Sequence, residues 1–215
     1  WNAVEAAGGD AHAPIGYVLS LEGADSILTP HHLERAYAQG LRAVGPAHYG
    51  PGVYAQGTNA SGGIGEHGRA LLREMERLNI ILDVTHLCDE SFWESLELFR
   101  GPVWASHNNC RALVPHGRQF SDEQLKAIIA RGGVVGVAFD AWMLVPDWVR
   151  GSSTPQNRGV TLAQVADHID HVRAVAGIEH IGIGADFYDD GADSMVPELA
   201  DVSRYPHLFA ERLRR

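Results

Sequence analysis

Two cysteines in 215 residues cannot build a disulfide framework, and neither Cys88 nor Cys110 lies in a C-x-x-C pair. Both are expected to be ordinary buried thiols. Positive charge is also scarce. Seventeen Lys and Arg stand against 27 Asp and Glu, a formal net charge of −10. That balance disfavours nucleic acid and anionic membrane as partners. No apolar run approaches the roughly 18 residues of a membrane span. No basic-then-apolar leader opens the chain at Trp1. The chain is read as cytoplasmic, with a start that is not the natural one. It has no internal repeat and no linker, so a single domain over 1–215 is expected.

What is present centres on residues 80–107. The apolar run IILDV (80–84) ends at Thr85-His86, an amphipathic segment follows, and a second run, PVWA (102–105), ends at Ser106-His107. Two strands joined by one helix make a βαβ unit. In parallel α/β folds the ligand site lies beyond the carboxyl ends of the strands, so both histidines should enter one site.

The rest of the chain repeats this pattern. Strands are expected from about residues 15, 41, 80, 102, 133 and 180, those from 15 and 133 as buried ones. Thr29-Pro30 starts a helix that Gly40 stops. A glycine-rich loop covers 49–65. The next helix buries Leu71, Leu72, Met75 and Leu78. Asp89 is expected to cap the helix inside the central unit. Ser121 to Gln124 and Thr161 to Gln164 are capping boxes. The second of them starts a helix burying Leu162, Val165, Ile169 and Val172. A last helix begins near Pro206. Strand-helix alternation means a parallel sheet. A doubly wound sheet concentrates its chemistry in one crevice, whereas here polar groups close nearly every strand, which suits a barrel mouth. A closed (β/α)₈ TIM barrel needs eight strands, and this chain supplies about six.

The strand-end set is Glu22, His48, His86, His107 and Asp186. Imidazole and carboxylate are good ligands for Zn²⁺ and similar ions. A metal brings bound water to hydroxide near neutral pH, and two metals can clamp nucleophile and carbonyl together. Glu22 could bridge two ions, and Asp186 could hold the water and pass its proton to a leaving amine. Each residue also has a bland reading as a hydrogen-bonded loop or turn residue. Their joint appearance at successive strand ends favours a metal site. His168 and His171, an H-x-x-H on a helix, are read as structural or solvent-facing, and His12 as a loop residue. Arg118 could grip a substrate carboxylate, or be a surface arginine or ion-pair partner. The loop 140–159, with Trp142 and Trp148, is a substrate wall or lid, or else a packed loop or dimer contact.

The chain resembles the membrane dipeptidase (renal dipeptidase) family of metal-dependent peptidases, in the amidohydrolase group of barrels. The resemblance runs over nearly all of the chain from Tyr17. It rests on Leu21-Glu22-Gly23, Ala47-His48, Asp83-Val84-Thr85-His86, Ala105-Ser106-His107, Arg118-Gln119, Asp167-His168-Ile169-Asp170-His171 and Gly182-Ile183-Gly184-Ala185-Asp186-Phe187. It implies two zinc ions bridged by Glu22, with His86 and His107 on the second. It further implies that His48 contacts the scissile carbonyl, Arg118 binds the substrate's C-terminal carboxylate, and Asp186 shuttles the proton. The implied reaction is hydrolysis of dipeptides, with tolerance for a C-terminal D-residue. A homodimer is left open.

The sequence departs from the family pattern in several places. The His-x-Asp pair that the family carries at the end of its first barrel strand, for the first zinc, is absent. Asp10-Ala11-His12 has the wrong order and position to replace it. The family's bridging Glu follows its third strand, whereas Glu22 follows the first one visible here. The expected barrel is therefore cut at both ends and lacks about two N-terminal strands. Tyr49 stands where the family has Asn, and Tyr188-Asp189-Asp190-Gly191 where it has Asp-Gly. Two further readings stay open. One is another amidohydrolase-type enzyme: a lactonase, phosphotriesterase or deaminase. The other is an inactive truncated remnant acting as a binding module.

Overall fold

Alternating apolar runs and amphipathic segments become six strands interleaved with helices in a computed structural model that describes residues 15–187 and 195–214. The strands are β1 (Leu19–Glu22), β2 (Leu41–Gly45), β3 (Ile81–Asp83), β4 (Val103–Trp104), β5 (Val135–Val137) and β6 (Ile181–Ile183). The helices are α1 (Pro30–Ala38), α2 (Gly65–Arg77), α3 (Asp89–Leu98), α4 (Asp122–Ala130), α5 (Leu162–Ala176) and α6 (Tyr205–Leu213). Local chemistry sets their ends. Thr29 accepts the His32 amide ahead of α1, and both capping boxes, at Ser121 and Thr161, are formed. Asp89 is not the cap of α3. Cys88 holds that place, and Asp89 is the first helical residue, its carboxylate taken by Arg111 at 2.7–2.8 Å.

All pairings between strands are parallel. β1 to β4 lie side by side in chain order, β5 pairs with β6, and an Ala105–Val135 bridge joins the two groups. Strand order that follows chain order without reversal is barrel topology; a doubly wound sheet reverses at its switch point. Helices cover the outside. Leu33, Met75, Leu82, Phe92 and Phe99 pack in one core cluster, and Phe139, Val165, Ile169 and Leu199 in a second.

The first strand departs from the expectation of burial. Ile15 and Tyr17 are 93% and 87% exposed, and β1 starts only at Leu19. Ile183 of β6 is also exposed. Among the described residues β1 pairs only with β2 and β6 only with β5, so each has one open side. Burial of β2 to β5 comes from neighbours on both sides, which an apolar sequence alone does not supply.

Candidate metal centre

The strand ends bring the predicted residues to one place. Glu22 closes β1, His48 follows β2, His86 follows β3, His107 follows β4 and Asp186 follows β6. Glu22 Oε1 lies 3.0 Å from His86 Nε2 and 3.1 Å from His107 Nε2, and the two nitrogens are 3.2 Å apart. Around this triangle, His48 Nε2 approaches Glu22 Oε2 at 3.8 Å, and Asp186 Oδ2 approaches His107 Nε2 at 3.8 Å. Glu22, His48 and His86 also each offer a ligand atom within 4.8 Å of the others. The tighter set is the triangle with His107, in which all three atoms face one point.

Hydrogen bonding behind the rings decides what those atoms present. The Thr58 hydroxyl donates to the His86 carbonyl at 3.2 Å, so its oxygen is left to accept from His86 Nδ1 at 3.3 Å. The Ser106 hydroxyl donates to Thr85 Oγ1 at 3.3 Å and accepts from His107 Nδ1 at 2.9 Å. Protons on both Nδ1 atoms leave lone pairs on both Nε2 atoms, aimed at a carboxylate oxygen. Three lone pairs at such distances repel unless a cation lies among them. Ligands held 2.0–2.2 Å from a tetrahedral ion stand roughly 3.3–3.6 Å apart, close to what is seen. The donor set fits a divalent cation such as zinc.

Electrostatics agree with that assignment. Burial pushes the His86 imidazole down to about 3, aided by Arg118 and opposed by Glu22, which keeps it neutral and able to ligate. The backbone is also specialised. His86 has φ 69° and Asp186 φ 58°, a left-handed conformation that L residues adopt only under constraint. Gly136 and Gly184 let β5 and β6 come against the Ser106 carbonyl. A Cβ at either would overlap that oxygen, and at Gly184 it would also lie 2.8 Å from His107 Cα.

Arg118 is 2% exposed. Its guanidinium donates to the His107 carbonyl at 2.8 Å and to Asn108 Oδ1, while Nε has no partner among the described residues. Burial works against its charge, and Tyr49, Asp186, Glu22 and Asp83 favour it. A cavity of about 510 Å³ contains Glu22, His48, His86, His107 and Asp186, and Tyr49, Asp140, Trp142, Trp148 and Arg150 also line it. Asp140 and Arg150 were not singled out in the sequence. Asp140 directly ends the GVVGVAF run, so the strand-end rule could have found it, but nothing local marks Arg150. The helical histidines are structural. Buried His168 accepts the Cys110 amide at 3.1 Å, and His171 Nε2 lies 2.7 Å from Asp122. His168-Ile169-Asp170 has the His-x-Asp spelling but lies on α5, with Asp170 paired to Arg212, and closes no strand. His12 and the stretch 188–191 lie outside the described residues.

A parallel, barrel-ordered sheet with histidines and carboxylates converging at its strand ends is the architecture of a metal-dependent hydrolase. The family model for membrane dipeptidase (peptidase family M19) matches residues 2–215, and the chain belongs to that family. It is 32% identical over 206 residues to dipeptidase verJ of Clonostachys rogersoniana, covering 94% of this chain and 50% of that protein. A protein in the pqqA 5′ region of Klebsiella pneumoniae is 34% identical over 185 residues, with 82% and 65% covered. A Rhodobacter sphaeroides metallopeptidase, solved with a phosphinate mimic of the dipeptide L-Ala-D-Ala, superposes with TM-score 0.80 at 30% identity. That superposition covers 92% of this chain and 56% of the other. The chain thus spans about half the length of several relatives it matches. Among the described residues no helix is long and apolar enough to cross a membrane.

Proposed function

We infer that this chain carries part of the active centre of a zinc-dependent dipeptidase, which cleaves the peptide bond of dipeptides. The observation that carries the reading is the triangle of Glu22 Oε1, His86 Nε2 and His107 Nε2, all within 3.2 Å and all presenting lone pairs. Zinc, when bound, acts as a Lewis acid that makes water nucleophilic near neutral pH. His86 and His107 would hold one ion, and Glu22 would share it with a second. The second ion's remaining ligands would come from outside this chain, since among the described residues no strand end offers His-x-Asp.

The other residues bind and move protons. Asp186, with Oδ2 beside His107, would take the proton of the attacking water and deliver it to the leaving amine. His48, with Nε2 3.8 Å from Glu22 Oε2 and its ring edge-on to His86 at 4.4 Å, would donate to the developing oxyanion. Arg118 lies behind the His107 turn and is not among the residues lining the cavity, so its unpartnered Nε would anchor the substrate's terminal carboxylate only if the side chain turns toward the cavity. Trp142 and Trp148 would enclose the substrate. L-Ala-D-Ala is a suitable probe, since its mimic binds the Rhodobacter relative.

The test is metal content and amino-acid release from L-Ala-D-Ala by the full chain supplied with Zn²⁺. Metal binding that is lost in His107→Ala, together with hydrolysis, supports the reading. A folded chain that binds no metal would overturn it. Metal binding without hydrolysis by this chain alone is what the absent second-ion ligands lead to; loss of hydrolysis also in a chain extended by a strand that ends in His-x-Asp would favour the binding-module reading, which the open sides of β1 and β6 also suit.

A further inference from the structure

Asp83 is the last residue of β3 and is buried, yet it does not face the metal triangle as a ligand. Its Oδ1 accepts two backbone amides at once: Thr85 N at 3.1 Å on its own strand's exit, and Ser106 N at 3.1 Å across the sheet. Each amide belongs to the residue just before a metal-binding histidine, His86 or His107. The β3–β4 register ends at the Asp83–Trp104 pair, so both amides lie past the last regular pairing. Without the carboxylate the buried Thr85 amide and the partly buried Ser106 amide would be donors with no strand to bond to. The same turn holds His86 in its left-handed conformation and passes Thr85 Oγ1 to Ser106 and the His107 amide.

We propose that Asp83 is a positioning residue for the metal centre: one carboxylate oxygen locks together the two turns that carry His86 and His107 and so sets the spacing of two ligands from different strands. The proposal rests on the reading that these histidines bind a metal. Orienting groups behind metal ligands typically contribute about 10- to 100-fold to metal affinity. Asp83→Ala removes the shared acceptor, whereas Asp83→Asn keeps an oxygen at the Oδ1 position.

The test titrates the full chain with Co²⁺, follows its visible absorption, and checks the fold by circular dichroism. Asp83→Ala should bind Co²⁺ about 10- to 100-fold more weakly with the native spectrum retained, and Asp83→Asn within about threefold of the unaltered chain. Equal affinity in Asp83→Ala, or a loss in Asp83→Asn as large as in Asp83→Ala, would overturn the clamp. Hydrogen exchange on the unaltered, metal-free chain needs no variant. The Thr85 and Ser106 amides should both be strongly protected, and free exchange at either would overturn the proposal. An unaltered chain that binds no Co²⁺ would overturn the metal reading, and this proposal with it. Normal binding by Asp83→Ala would overturn the proposal alone.

Discussion

His86 Nε2 and His107 Nε2 stand 3.2 Å apart, one past the end of β3 and the other past β4, each with its Nδ1 directed at a hydroxyl oxygen. Ring nitrogens facing one another in this way gain from a cation placed between them. Zn²⁺ or Co²⁺ should therefore stabilise the folded chain, by about 2.7 kcal/mol at a hundredfold excess over Kd. A thermal melt with and without metal, reversed by chelator, measures this. Glu22→Gln and His107→Ala should abolish the metal-induced rise in Tm. A full rise in either variant would place the metal elsewhere.

The close approach of β6 to the His107 turn makes Gly184 a steric determinant of the same site. A methyl group there meets the Ser106 carbonyl and His107 Cα, both backbone, so the turn itself must move. Gly184→Ala should destabilise the chain by about 1–3 kcal/mol and weaken metal binding beyond that general loss. Denaturant melts paired with Co²⁺ titration separate the two effects. Native affinity in a folded Gly184→Ala chain would show that the turn tolerates displacement.

Arg118 separates dipeptidase chemistry from lactonase, phosphotriesterase or deaminase chemistry. Its guanidinium already serves the His107 carbonyl and Asn108, and Nε is the donor left over. If that donor takes a substrate carboxylate, the enzyme should prefer a free dipeptide to its C-terminal amide. A charge-assisted hydrogen bond of about 1.5–3 kcal/mol corresponds to roughly 10- to 100-fold in kcat/KM. Arg118→Met should erase that preference in the active protein. A preference unchanged in Arg118→Met would favour the other hydrolase chemistries.

Much of this was legible in the sequence because strand ends are marked twice, by the end of an apolar run and by the polar residue that follows. Glu22, His48, His86, His107 and Asp186 all carry that double mark, and the structure gathers them at one cavity. Supporting residues carry no such mark. Thr58 sits in a glycine-rich loop and reaches His86 across 28 positions, and the bond from Asp83 to Ser106 spans 23. Neither pairing follows from local pattern. The exposure of β1 was missed for a related reason, since an apolar run reports what a strand could bury and not whether a neighbour is there.

The buried His168 makes stability depend on pH in a way that can be traced to one side chain. Burial pushes its imidazole down to about 4 from an ordinary value of 6.5. It accepts the Cys110 amide through Nδ1, a bond that the neutral ring makes and a protonated Nδ1 cannot. As pH falls below 6.5 the unfolded chain takes up this proton first, because the folded pKa is the lower one. Stability contributed by neutral His168 is therefore complete above about 6.5 and is lost progressively down to about 4. At 1.36 kcal/mol per pH unit the loss totals about 3 kcal/mol. Asn places an uncharged acceptor near the Nδ1 position, so His168→Asn should keep the Cys110 bond and remove this contribution to acid sensitivity. Urea melts at pH 7 and pH 5 give the comparison. The unaltered chain should lose more stability over that interval than His168→Asn, and equal losses would assign the acid sensitivity to other groups, such as His86 or His116, whose imidazoles burial also pushes down.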